Sequence, residues 1–168
     1  MLICTASNAQ QPDAQQPDAR QPNVLLILTD DQGWSSLGCY GGKIVPTPNL
    51  DRLAEQGARF TSAYVTSQCT PTRATLLTGQ YPARHRMWHV IGWYGCPWGR
   101  MEERPFTEQF ARGTPTIASG LKRAGYKTGI VGKWHLTNNE DGGYLGLKSE
   151  RCHFYGFDDA GPILSADE

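Results

Sequence analysis

The chain has 168 residues, enough for one domain with a sizeable core. Its 16 Lys and Arg balance 16 Asp and Glu, so neither a basic nucleic-acid face nor an acidic interaction tail is implied. Only 19% of residues are charged while 19 are Gly and 11 are Pro, a loop-rich composition, and no apolar run approaches the length of a membrane span.

The N-terminus opens with "MLICTASNAQ", a short apolar start followed by Ser7-Asn8-Ala9, a small-x-small pattern of the kind signal peptidase cuts. The apolar core is short and lacks a basic flank, so a late start and an ordinary tail both fit. The Gln-Pro-Asp-Ala repeats of "QQPDAQQPDARQPN" have no hydrophobic face and read as a flexible linker. Residues 1–22 are therefore expected to be a signal-peptide remnant or disordered linker, and residues 23–168 the folded part.

"NVLLILTDD" is a continuous apolar run ending in Asp30 and Asp31, the pattern of a strand buried on both faces of a parallel sheet. "TPNLDRLAEQG" predicts a helix with Thr47 as cap, Pro48 at the first position and Gly57 as stop. "RFTSAYVTS" is β-rich and predicts a strand running into Cys69. In "SQCTPTRATLLTGQYP" Thr70 reads as an N-cap, Pro71 as the first helical residue and Gly79 as terminator. That places Arg73 in the first turn, where the helix dipole disfavours a cation, with Cys69 just before the cap. Gathered there, a guanidinium, a thiol and helix N–H groups are suited to an anion.

"RMWHVIGWYGCPWGRMEERPF" has neither helical nor strand period and reads as a long loop. Stacking of Trp88, Trp93 or Trp98 on a sugar or aryl group and a self-packed cluster both fit it. "TPTIASGLKRAG" predicts a helix with Thr114 as cap, Lys122 and Arg123 near its end and Gly125 as stop. "YKTGIVGKWHL" predicts a strand leading into Lys133 and His135, which share a face if the segment is extended. It is no phosphate loop: the glycine spacing is wrong and no Ser or Thr follows the lysine.

Thr-Pro helix starts alternating with β-rich runs give the rhythm of an α/β sheet with helical crossovers. Ligands bind beyond the carboxyl ends of such strands, where Asp30-Asp31, Cys69 and Lys133/His135 all fall. The adjacent carboxylates suit calcium or magnesium, or else a solvated loop start; two cannot fill a shell of about six to eight oxygens. Cys69 is either a small core residue or a thiol activated by the helix terminus and Arg73. The five cysteines, Cys4, Cys39, Cys69, Cys96 and Cys152, form no CxxC pair and no zinc spacing. Cys39, Cys96 and Cys152 could pair in part.

In order along the chain, "NVLLILTDDQG", "PTPNLDRLAEQGARF", "CTPTRATLLTGQYP", "TIASGLKRAGYKTGIVGKWHL" and "YGFDD" closely resemble the type I sulfatases of the alkaline phosphatase superfamily. The resemblance implies an α/β fold, a mostly parallel sheet with flanking helices. It implies that Cys69 is converted to Cα-formylglycine, whose hydrate attacks a sulfate ester. It assigns Asp30, Asp31 and hydrated Cys69 to a Ca2+ ion, Arg73 to the hydrate and the anion, Lys133 to sulfate oxygens, and His135 to deprotonation of the hydrate. A sulfated small molecule or glycan as substrate, a formylglycine-generating enzyme as partner, and export to periplasm or outside follow in the same way.

The family's second metal-ligand pair, its further lysine and histidine, and its later strands have no counterpart before the final "GPILSADE". The resemblance thus covers an N-terminal portion incomplete at the C-terminus, and the chain by itself is expected to be inactive. Two alternatives stay open, a non-catalytic fragment and a phosphatase or phosphodiesterase of the same superfamily. The latter use Ser or Thr as nucleophile, against which "CTPTR" speaks. A thiol hydrolase using Cys69 and His135 would leave Arg73 and the Asp pair without a purpose.

Overall fold

The structure is a computed structural model that describes the backbone of residues 2–6 and residues 21–92, 104–138, 140–143 and 146–161 in full. The Gln-Pro-Asp-Ala linker, the small-x-small site, Cys96, Trp93, Trp98 and residues 162–168 lie outside the described residues. The chain divides into two units, residues 1–65 and 66–168.

In the first unit, β1 (Leu2–Ala6) pairs antiparallel with β2 (Val24–Leu28), in a register running from Leu2 opposite Leu28 to Ala6 opposite Val24. The predicted strand forms, but its expected setting does not. Val24, Leu25 and Ile27 are about half exposed or more. Double burial requires helices on both faces of a parallel sheet, and among the described residues β2 has one antiparallel neighbour.

Helix α1 (Pro48–Gln56) starts after Thr47 with Pro48 in its first turn and ends at Gly57, as its sequence predicts. Thr47 is the N-cap residue, but its side chain makes no capping bond. Its hydroxyl accepts from Gly38 N at 2.8 Å and donates to Asp51 Oδ1 at 3.0 Å, while Asp51 Oδ1 also accepts from Cys39 N at 2.6 Å. The 3₁₀ turn Gly38–Tyr40 is thereby held against α1. A Cβ at position 38 would meet the Asp51 carboxylate and force it to shift from these bonds.

The predicted strand in "RFTSAYVTS" does not form: residues 58–68 have no regular structure and Phe60, Tyr64 and Val65 are exposed. β-propensity describes fit to a pleated, half-buried surface, and without a partner ladder it has nothing to act on.

The second unit holds a core of Ala74, Met87, Phe110, Ala118, Trp134, Leu136, Leu147, Cys152, Tyr155, Phe157 and Ala160. Trp134 lies at its centre, with ring centroids 5.0 Å from Tyr155 and an edge-on contact to Phe110 at 6.1 Å. Around it pack α2 (Cys69–Thr78), the short α3 (Pro82–His85) and α4 (Ile117–Arg123). The α4 helix begins two residues later than expected, because Thr116 and Ser119 form a reciprocal capping box that outcompetes Thr114. Strands β3 (Gly129–Ile130) and β4 (Asp159–Ala160) pair in parallel. Cys39, Cys69 and Cys152 are free thiols, so Cys39 and Cys152 are not joined to each other.

Candidate active site

Cys69 is the first residue of α2, not the residue before its cap. The cap is Gln68, in extended conformation, and the first i to i−4 bond runs from Thr72 N to Gln68 O at 3.2 Å. Pro71 is tolerated because the third helical position needs no intrahelical N–H. Thr70 is the second helical residue and fully buried; its hydroxyl is spent elsewhere, donating to His135 O at 2.9 Å and accepting from Ile91 N at 3.4 Å.

This shift moves Arg73 out of the first turn. From the second turn it reaches across the unit and donates through a guanidinium N–H to Lys133 O at 2.6 Å. The arginine that looks misplaced in the sequence is thus a strut between α2 and the segment carrying two other predicted site residues.

Lys133 and His135 do not sit on an extended strand. β3 ends at Ile130, Gly132 has φ +89° and His135 has φ +53°. The alternation expected of them fails at His135, which adopts a left-handed conformation uncommon for residues other than glycine. His135 is 5% exposed. Its amide donates to Gly143 O at 3.0 Å and its carbonyl accepts from Thr70, so both backbone groups fix the unusual conformation. The result is a contact between Cys69 Sγ and His135 Nδ1 at 3.3 Å.

Four of the six predicted residues, Cys69, Arg73, Lys133 and His135, are therefore brought together inside the second unit. Asp30 and Asp31 belong to the first unit, exposed, at the end of β2. Asp31 has φ +52°, which breaks the side-to-side alternation a continuing strand would impose on adjacent carboxylates. Their hard oxygen donors fit a calcium- or magnesium-like ion. They fit only as part of its shell: among the described residues no cluster of three or more His, Cys, Asp or Glu side chains forms.

Thr70, Gly143 and Ile91 support the pair and were not expected from the sequence. Thr70 Oγ1 carried a signal, a threonine before proline, but that signal suggests a cap. His85 links α2 to the chain beyond α3: Nδ1 accepts from Met87 N at 3.1 Å, which leaves Nε2 to donate to Thr75 Oγ1 at 3.1 Å. Burial pushes the His85 pKa below its ordinary value.

A family model described as Sulfatase matches residues 22–161. The chain belongs to the sulfatase family. It is 44% identical to human arylsulfatase A over 124 residues, covering 73% of this chain and 22% of that protein. It is 40% identical to an N-acetylgalactosamine-6-O-sulfatase of Bacteroides thetaiotaomicron, over 81% of this chain and 25% of the relative. A solved sulfatase structure tied to the metabolism of multiple glycosaminoglycans by Bacteroides thetaiotaomicron matches with TM-score 0.56 and 35% identity, covering 78% of this chain and 26% of that one. A crystal structure of Ps i-CgsB in complex with k-i-k-neocarrahexaose gives TM-score 0.56 at 28% identity, over 78% of this chain and 25% of that one. The chain thus spans about a quarter of the length of these sulfatases and carries the α/β fold of their N-terminal portion.

Proposed function

We propose that this chain is the nucleophile-bearing part of a sulfuric ester hydrolase whose nucleophile is formylglycine made from Cys69. The observation that carries the reading is the Cys69–His135 contact at the N-terminus of α2. In the unmodified chain, Sγ stands in for a hydroxyl oxygen of the hydrated aldehyde. That hydrate would supply two hydroxyls on one carbon, one to attack sulfur and one whose deprotonation re-forms the aldehyde and releases sulfate. A divalent cation, for which Asp30 and Asp31 would be partial ligands, would offset the negative charge of the ester.

The chain's own residues support the remaining tasks. His135 Nδ1 lies within reach of a proton on the residue-69 side chain, and its position is fixed through both of its backbone groups. Its carbonyl bond to Thr70 ties the base to the same helix that bears the nucleophile. The positive end of the α2 dipole falls at residue 69, where an oxyanion develops. Arg73 holds Lys133 by its carbonyl, which sets the backbone from which the Lys133 ammonium reaches sulfate oxygens.

The substrate class we propose is an aryl or carbohydrate sulfate. The relatives named for arylsulfatase and N-acetylgalactosamine-6-O-sulfatase activity support it, as does the neighbour solved with an oligosaccharide. A formylglycine-generating enzyme would be the maturation partner, and export the setting; no described helix is long and apolar enough to cross a membrane.

The same Cys69–His135 contact would serve an unconverted thiol nucleophile, so the test must separate the two. The tryptic peptide "FTSAYVTSQCTPTR" (60–73) is weighed after co-expression with a formylglycine-generating enzyme. An aldehyde in place of the thiol is the expected result. An intact thiol under conditions that convert a control sulfatase would overturn the formylglycine reading and leave a thiol enzyme or an inert fragment.

A further inference from the structure

Asp141 is fully buried, yet it is a carboxylate. Oδ1 and Oδ2 accept from the Arg112 guanidinium at 2.5 and 2.8 Å, and Oδ2 also accepts from the Tyr155 hydroxyl at 2.5 Å. The paired Arg112 holds the Asp141 carboxyl below the usual carboxylate range, while burial and the carboxylate push the Tyr155 phenol up. Arg151 adds a weaker favourable charge. With the Arg112 side chain 42% exposed, this pair is weak evidence for stability. Its value lies in fixing one geometry.

The geometry it fixes leads to the site. Asp141 begins a turn whose third residue, Gly143, has φ +79° and accepts from His135 N. The Asp141 carbonyl takes Lys148 N at 2.9 Å, Asn138 N donates to Gln109 Oε1 at 3.0 Å, and Phe110 N donates to Leu136 O at 2.8 Å. Arg112 reaches the carboxylate from the segment beside Phe110 and stacks on Phe154, 4.7 Å from its ring centroid. The turn is thus held at its carboxylate, at its carbonyl and at the chain leading into it. Gly143 O accepts from the amide of His135, whose φ is positive.

We propose that Asp141 is a positioning residue: clamped by Arg112 and Tyr155, it holds the turn whose Gly143 carbonyl keeps His135 against Cys69. The inference rests on the reading of Cys69 and His135 as the reacting pair. It does not depend on whether Cys69 is converted, because it can be tested on the thiol.

The full chain with Asp141→Asn is compared with wild type and His135→Ala. The readout is the rate at which iodoacetamide alkylates Cys69 between pH 5.5 and 9, followed by the mass of peptide 60–73. Alkylation of Cys39 in the same samples reports any general change in accessibility, and near-UV circular dichroism reports folding. In wild type the Cys69 rate should carry a step from His135 that His135→Ala lacks. Asp141→Asn should move the profile toward that of His135→Ala, lowering the rate near neutral pH by about tenfold, part of the hundredfold or more that a positioned base typically supplies. The Cys39 profile should stay fixed.

If Asp141→Asn fails to fold, Tyr155→Phe removes one donor and leaves the ion pair; it should shift the Cys69 profile in the same direction by a smaller factor. A folded Asp141→Asn, or in its place a folded Tyr155→Phe, whose Cys69 profile matches wild type overturns the proposal. A wild-type profile without a His135 step overturns the reading of the pair itself, which is a different outcome from the loss of Asp141's role.

Discussion

Replacing Thr70 by Val removes one hydroxyl and leaves shape nearly unchanged, so its effect isolates the bond from Thr70 Oγ1 to His135 O at 2.9 Å. Both residues are buried. The second bond of that hydroxyl, from Ile91 N at 3.4 Å, is long enough to count for little. The variant leaves one buried carbonyl without its donor, a loss of about 1–3 kcal/mol. Water reaching the gap would bring it toward the lower end, so about 1–2 kcal/mol is expected. For a chain of this size that lowers the melting midpoint by roughly 2–8 °C. Thermal unfolding followed by near-UV circular dichroism measures it, with Thr70→Ser as the control that keeps the hydroxyl and loses only a methyl. His135 would also lose one of the two bonds that fix its left-handed conformation, so the alkylation step of Cys69 should weaken in Thr70→Val and persist in Thr70→Ser. The reasoning fails if Val and Ser variants melt together and both keep the wild-type alkylation profile. That result would mean that the Thr70 hydroxyl does not hold His135.

His85 has a folded pKa below its unfolded value, so its contribution to stability is present above the ordinary histidine range and is lost as pH falls through that range to the folded value. The melting midpoint should therefore fall on acidification from pH 7.5 to 5.5, and His85→Gln should flatten that dependence. Asp158, which pairs with Lys122 Nζ at 2.5 Å and accepts from Thr128 N at 2.9 Å, is held down to about 2. Its contribution is present above the unfolded carboxylate value and disappears as pH falls from there toward about 2, so Asp158→Asn should lose stability at pH 7 and match wild type near pH 2. Calcium titration followed by calorimetry should give weak binding that Asp30→Asn with Asp31→Asn abolishes, because a shell lacking most of its oxygens binds loosely; heat unchanged by the double variant would remove these residues as ligands.

Much of this was legible in the residues. Helix α1 is predicted to within a residue, because Thr47, Pro48 and Gly57 are local signals acting on the chain next to them. The starts of α2 and α4 are each displaced by two residues, in opposite directions, for the same physical reason. A threonine hydroxyl serves whichever acceptor or donor the packed chain offers: Thr70 is drawn to His135 O and Thr116 to Ser119 N. The Thr70 partner lies 65 residues away, while Ser119 lies within the same short stretch as Thr116 and competes locally with the Thr-Pro signal at Thr114. The strand in "RFTSAYVTS" fails for the complementary reason, since a strand is a property of a pair. Cys69, Arg73, Lys133 and His135 were found by residue type and motif, but their arrangement was not. The expected roles of a first-turn cation and an extended Lys-x-His face both gave way to contacts at long separation, 60 residues for Arg73 and Lys133 and 66 for Cys69 and His135.

Among the described residues, three other than glycine have positive φ: Asp31, Arg86 and His135. Such conformations cost of order 1–3 kcal/mol each and persist only where the surroundings over-determine them. At Arg86 the reason is local, since its amide closes the last turn of α3 on Pro82 O at 2.7 Å. At His135 the reason is long-range: bonds from Thr70 and to Gly143 come from α2 and from the turn that Asp141 anchors. Nothing in folding requires a histidine there; a glycine would take the same φ without strain. The conformation is useful only for what it does with the ring, which is to set Nδ1 at 3.3 Å from Cys69 Sγ. Asp31 repeats the argument at the end of β2, where asparagine or glycine would turn the chain as readily without a charge. Two of the three strained positions are residues singled out from the sequence for their chemistry. That coincidence is expected where local rules are broken to hold reactive groups in place. It is also independent of any likeness to other proteins.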